Sequence, residues 1–140
     1  MGTRPRTIGL LFANGADRRL LAEFFAERGF AVQAPEPRAF SAEDWPHVGL
    51  VVTDAASARR HHQALLAMRQ AAEPELLPIL VVLPRHEDAT AWLGAGFDDV
   101  LRQPISKAEL AARVETFWRL KGQAAELARR VAETSYRAIF

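Results

Sequence analysis

The apolar run Gly49-Leu50-Val51-Val52-Thr53 ends in a carboxylate, Asp54, with the small residues Ala55, Ala56 and Ser57 behind it. An acid at the end of a buried strand can accept a phosphoryl group, ligate a hard cation or cap the helix that follows, and its neighbours decide which. The earlier run Thr7-Ile8-Gly9-Leu10-Leu11 stops at Phe12, Ala13 and Asn14, where a metal or phosphate site would place acids. Neither Phe12 nor Ala13 can hold a cation. Two later apolar runs close on Leu83-Pro84 and on Arg102-Gln103-Pro104.

Other residue types capable of chemistry are poorly placed for it. Asn14-Gly15 lacks the G-x-G-x-x-G spacing of a dinucleotide cradle and reads as a strand-to-helix connection. His61 and His62 are adjacent, so on a helix they point about 100° apart and cannot chelate one ion, and His47 and His86 lie in other segments. Trp45, Trp92 and Trp118 are scattered rather than interleaved with a basic stripe, which favours packing over base stacking. The pairs Arg18-Arg19, Arg59-Arg60 and Arg129-Arg130 read as solvated helix faces.

The bulk properties narrow the classes further. At 140 residues the chain is sized for one domain able to bury a core without staples. Its 18 Lys and Arg against 17 Asp and Glu leave a net charge of +1, which supplies no field to gather nucleic acid or an anionic membrane. Cysteine is absent, so disulfides and thiolate metal sites are excluded. The longest apolar run, from Leu76 to Pro84, is far below the ~18 residues of a membrane span, and no signal-peptide core follows Met1. A soluble, cytoplasmic module is expected.

Short apolar runs alternate with amphipathic ones, the pattern of a parallel sheet covered by helices. Strands are predicted near 7–12, 30–34, 48–53, 78–83 and 98–102. The first helix carries Leu20 and Phe24, then Leu21 and Phe25, at i, i+4 and ends at Gly29. Pro35, Pro37 and Pro46 confine the second to a short stretch within 38–45. Ser57 is expected to cap the third, which ends before Pro74, and the fourth has two or three turns before Gly94 and Gly96. Ser106 and Glu109 form a capping box for the fifth, whose stripe is Leu110, Val114 and Phe117. In such doubly wound sheets ligands gather at the carboxyl ends of the strands. Phe12-Ala13, Asp54, Leu83-Pro84 and Arg102-Gln103-Pro104 then share one rim.

Over about residues 5–121 the sequence resembles the receiver domain of two-component response regulators. The segments that carry the likeness are Arg18 to Val32 as first helix and second strand, Leu50 to Asp54 as the strand ending in the phospho-acceptor, and Gly94 to Val114 as the last strand and helix. The resemblance implies a flavodoxin-like five-stranded parallel sheet in the order 2-1-3-4-5, with Asp54 at the phospho-acceptor position and a cis bond before Pro104. It also implies a Mg²⁺ site at Phe12 and Ala13, a hydroxyl at Leu83 and a lysine at Gln103, and all four positions depart from the pattern. The reading that follows is a degenerate, pseudo-receiver module, non-enzymatic and without a cofactor, with very weak affinity for Mg²⁺. Its partners would be signalling domains such as a histidine kinase or an output domain, with neither nucleic acid nor membrane. A competent phospho-accepting receiver is the alternative, and a flavodoxin-like binder of a small anionic ligand is a second.

Residues 122–140 outrun a fifth receiver helix. Ala124, Leu127, Val131, Thr134 and Ala138 step by 3 and 4 in a heptad seam. With Phe117 and Leu120 this surface is expected to carry any homodimer. The stretch Ala132 to Phe140 resembles the segment leading into a PAS sensor domain. The sequence therefore divides into a receiver-like domain, 1–121, and a linker helix, 122–140, of a longer signalling protein, whose parent could be a histidine kinase or a diguanylate cyclase.

Overall fold

The computed structural model describes the backbone of residues 6–139 and the side chains of residues 6–135. Strands β1 (Thr7–Leu11), β2 (Ala31–Gln33), β3 (Leu50–Asp54), β4 (Ile79–Leu83) and β5 (Asp99–Arg102) pair in parallel in the order β2-β1-β3-β4-β5. Each lies within two residues of its apolar run. Ile8 stands opposite Leu50, Val52 opposite Leu80 and Val82 opposite Leu101, so like side chains align across the sheet. The runs are apolar without alternation because helices cover both faces.

Side-chain alternation divides the core in two. On one face Ile8, Leu10, Leu50, Val52, Leu80 and Val82 meet Leu21 and Phe25 of α1 (Gly15–Glu27) and Leu110 and Val114 of α5 (Lys107–Ile139). On the other, Leu11, Val51, Ile79, Val81 and Leu83 pack with Ala58 of α2 (Ala55–Arg60), Leu65 of α3 (His62–Ala72) and Trp92 of α4 (Ala89–Gly94). Gly9 has a steric reason: a Cβ there would sit 2.6 Å from the Trp45 ring. At the end of α1, Gly29 takes a φ of 88°, in the left-handed region that glycine tolerates.

Three local expectations are corrected. The second crossover holds two 3₁₀ turns, Pro37–Ala39 and Ala42–Asp44, in place of one short helix. Pro35 and Pro37 lack N–H donors, and Phe40 and Trp45 anchor the chain to the core over too short a span for a regular helix. The third helix begins at Ala55, capped by Asp54 rather than Ser57, and it is divided at His61, whose Nε2 donates to the Pro37 carbonyl (2.7 Å). In the fifth, Ser106 Oγ accepts the Glu109 N–H (3.2 Å), but the Glu109 carboxylate pairs with Arg113 instead of turning back, leaving half a capping box.

Helix α5 continues through Gly122 without a break. Trp118 packs on Phe30, with ring centroids 5.5 Å apart, and Lys121 donates to the Leu76 carbonyl. Burial holds the Lys121 ammonium below its usual value, against the opposing pull of Glu75. Phe117 is half-buried against the first core cluster, so it is only in part on the expected exposed stripe. Leu127 and Val131, at 64% and 58% exposure, remain on it. Phe140 and the side chains beyond Ser135, which include most of the segment likened to a PAS start, lie outside the described residues. Among the described residues no helix is long and apolar enough to cross a membrane.

Candidate functional site at the carboxyl ends of the strands

Asp54 is the last residue of β3 and the N-cap of α2 at once, so strand and helix join with no linker. Its Oδ1 accepts the Ser57 N–H at 2.7 Å, the usual N-cap bond to the third helical residue. Its Oδ2 accepts the Ala13 N–H at 2.8 Å, tying the loop after β1 to the end of β3. Each carboxylate oxygen therefore satisfies a backbone donor, and the half-buried Asp54 works as a staple between neighbouring strands.

Beside it Phe12 is 2% exposed and belongs to the core cluster with Leu21 and Phe25. A packed ring, not a charged group, closes the end of β1. The Phe12 carbonyl is taken by Arg18 Nη1 at 2.8 Å, and Asn14 Oδ1 caps α1 through the Asp17 N–H at 3.0 Å. Arg18 is thus no plain solvated residue.

Leu83 is fully buried on the opposite face, among Leu11, Val81 and Trp92, and its side chain does not share the Asp54 face. Its carbonyl accepts the Gln103 N–H at 2.9 Å. Gln103 is exposed, precedes Pro104 through a cis bond, and lines a groove of about 520 Å³ with Phe12, Leu20, Phe24 and Lys107. The structure so brings Asp54 and Ala13 into contact, sets Phe12 beneath them, and sends Leu83 elsewhere. Among the described residues no three His, Cys, Asp or Glu side chains gather as metal ligands. Phosphoryl transfer needs developing negative charge to be neutralised. Here the nearest strand ends offer a phenyl ring, a methyl group and a neutral amide.

A second polar cluster escaped the sequence reading. Arg59, expected in solvent, forms an ion pair with Glu87, and its guanidinium carbon lies 4.9 Å from the Trp92 ring centroid. The partners are 28 and 33 residues away, so no local spacing could reveal them.

A five-stranded parallel sheet in this order with an acid ending the central strand is the fold of response-regulator receiver domains. Solved structures carry the same architecture. Full-length FixJ from B. japonicum is 25% identical with a TM-score of 0.69, the match covering 89% of this chain and 63% of that one. A response regulator receiver modulated diguanylate cyclase from Pelobacter carbinolicus is 19% identical, with a TM-score of 0.68 and coverage of 86% and 98%. A response regulator receiver protein from Pseudomonas putida is 20% identical, with a TM-score of 0.60 and coverage of 82% and 99%. No protein-family model matches the sequence, and no curated protein is similar to it at a significant level.

Proposed function

We propose that the chain is a receiver-type regulatory module of two-component signalling that works through protein contacts, with Asp54 serving the scaffold rather than accepting phosphate. The observation that carries this reading is the pair of backbone bonds on Asp54, next to a buried phenyl ring at Phe12. A strongly hydrated Mg²⁺ prefers several oxygen ligands in octahedral order, and one occupied carboxylate competes poorly with water. With Gln103 in place of a cation, a phosphoryl group on Asp54 would add negative charge with nothing beside it to offset it.

The test is incubation with acetyl phosphate and Mg²⁺, read by intact mass and acid-labile label, together with an NMR titration of Mg²⁺ and beryllofluoride. No label and no saturable shift are expected. Stoichiometric labelling that disappears in Asp54→Asn would establish the competent receiver instead. The contact surface proposed for a second copy is the exposed part of α5, Leu120, Leu127 and Val131. Sedimentation of the full chain against a chain truncated after Gly122 checks it, with a dimer expected only in the former.

A further inference from the structure

A groove of about 480 Å³ runs between α4 and the α2–α3 pair, beside the loop that follows β4. Its wall is aromatic. Trp92 is 8% exposed, its ring centroid is 5.3 Å from Phe97, and His62 stacks on Phe97 at 5.3 Å with planes 30° apart. Glu87 stands at its edge. One carboxylate oxygen of Glu87 pairs with Arg59, while the other, Oε2, is buried and meets no donor among the described residues. A buried charged oxygen without a donor is costly, so this acceptor is built for a group that Arg59 supplies only in part.

We propose that this groove is a guanidinium site that receives an arginine side chain from a partner polypeptide, and that Arg59 occupies it in the free protein. A guanidinium is flat, stacks on an aromatic face and presents two parallel N–H donors to a carboxylate. Trp92 offers the face and Glu87 the two oxygens. Arg59 approaches from the last turn of α2 and engages one oxygen only, and its side chain is 57% exposed, so it can swing outward. An arginine entering along the groove can take both oxygens. A lysine ammonium fits less well, since a compact, strongly hydrated charge loses more water and cannot bridge the pair. Ala58, Ala91 and Ala95 keep the walls low, leaving room for the chain on either side of the arginine.

The test is an NMR titration of the full ¹⁵N-labelled chain with acetyl-Gly-Arg-Gly-amide, read at the Trp92 indole N–H, assigned through Trp92→Phe. The neutral isostere acetyl-Gly-citrulline-Gly-amide and the free guanidinium compound agmatine are the other arms. The arginine peptide should give a saturable shift in the wild type, and the citrulline peptide none. If Arg59 holds the site about nine-tenths of the time, Arg59→Ala tightens the peptide about tenfold. Arg59→Met, which keeps the stem over Trp92 without the charge, should do the same if the alanine variant folds poorly. Glu87→Gln should abolish the response in either background. No saturable shift in the wild type, an equal response to citrulline, or indifference to Glu87→Gln would overturn the site. Agmatine binding as tightly as the peptide would overturn its assignment to a polypeptide.

Discussion

Two carboxylates sit close to the carboxyl ends of neighbouring strands, and the fold uses them differently. Asp54 at the end of β3 has both oxygens on backbone N–H groups, at 2.7 and 2.8 Å. Glu87, four residues past β4, has one oxygen on a half-exposed arginine and the other on nothing among the described residues. Backbone donors cannot leave without unfolding the loop that carries them. A side-chain donor can rotate away while the backbone stays folded, at the cost of its half-exposed ion pair and its stacking on Trp92. The acid at the position expected to do chemistry is therefore fixed into the scaffold, whereas the acid in an unremarked loop keeps acceptor capacity that another group can fill.

The comparison breaks most visibly at the floor of the Asp54 rim. Phe12→Ala removes a fully packed ring and should cost about 3–5 kcal/mol in urea denaturation. A loss below about 1 kcal/mol, well under that range, would mean that the ring is not part of the scaffold under Asp54. Next in size, Asp54→Ala strips both a cap and a cross-strand tie and should cost about 1–2 kcal/mol. Asp54→Asn keeps one carbonyl oxygen for the Ser57 cap but cannot also accept from Ala13, so roughly half that loss is expected, about 0.5–1 kcal/mol. Glu87→Gln should cost less than about 1 kcal/mol, because its partner Arg59 is largely solvated. Should Glu87→Gln prove more damaging than Asp54→Ala, the two carboxylates have been assigned the wrong way round.

A third acid sharpens the contrast through pH. Asp98 is raised above its ordinary 3.8, chiefly by burial, against the Ile79 N–H and Arg69 that favour its ionised form. Because the folded value lies above the unfolded one, its contribution is complete below 3.8 and is lost as pH rises through the folded value. Thermal melts at steps from pH 3 upward should show Asp98→Asn losing that fall relative to the wild type. The smallest effect is expected far from either site. Arg129→Ala breaks pairs with Glu126 and Glu133 on the exposed part of α5 and should leave the urea midpoint of the domain unchanged.

Much of this was legible because it is written in periodicity. The five apolar runs and the close of α1 at Gly29 follow from the alternation of apolar with amphipathic runs and from glycine's tolerance of positive φ, whereas the strand order came from the resemblance to receiver domains. The cap of α2 was harder to read. Asp54 and Ser57 are equally good caps by type, and only the direct join of strand to helix selects Asp54. The second crossover misled because prolines exclude a long helix without saying what replaces it. Arg59, Glu87 and Trp92 meet only after β3 and β4 have paired, and no pattern along the chain encodes that meeting. Phe117 was read both in the apolar stripe of the fifth helix and on the surface for a second copy, and it packs half-buried against the first core cluster.

The uninterrupted α5 has a mechanical meaning. Its 33 residues make a rod of about 50 Å at 1.5 Å per residue, and just over half of that length lies beyond the last anchor at Lys121. A rod clamped at one end magnifies tilt. If the clamp formed by Leu110, Val114 and Trp118 rocks by about 5°, the far end sweeps about 2 Å over a free length of roughly 25 Å. A change in side-chain packing too small to alter the sheet is thus converted into a displacement of the helix end several times larger.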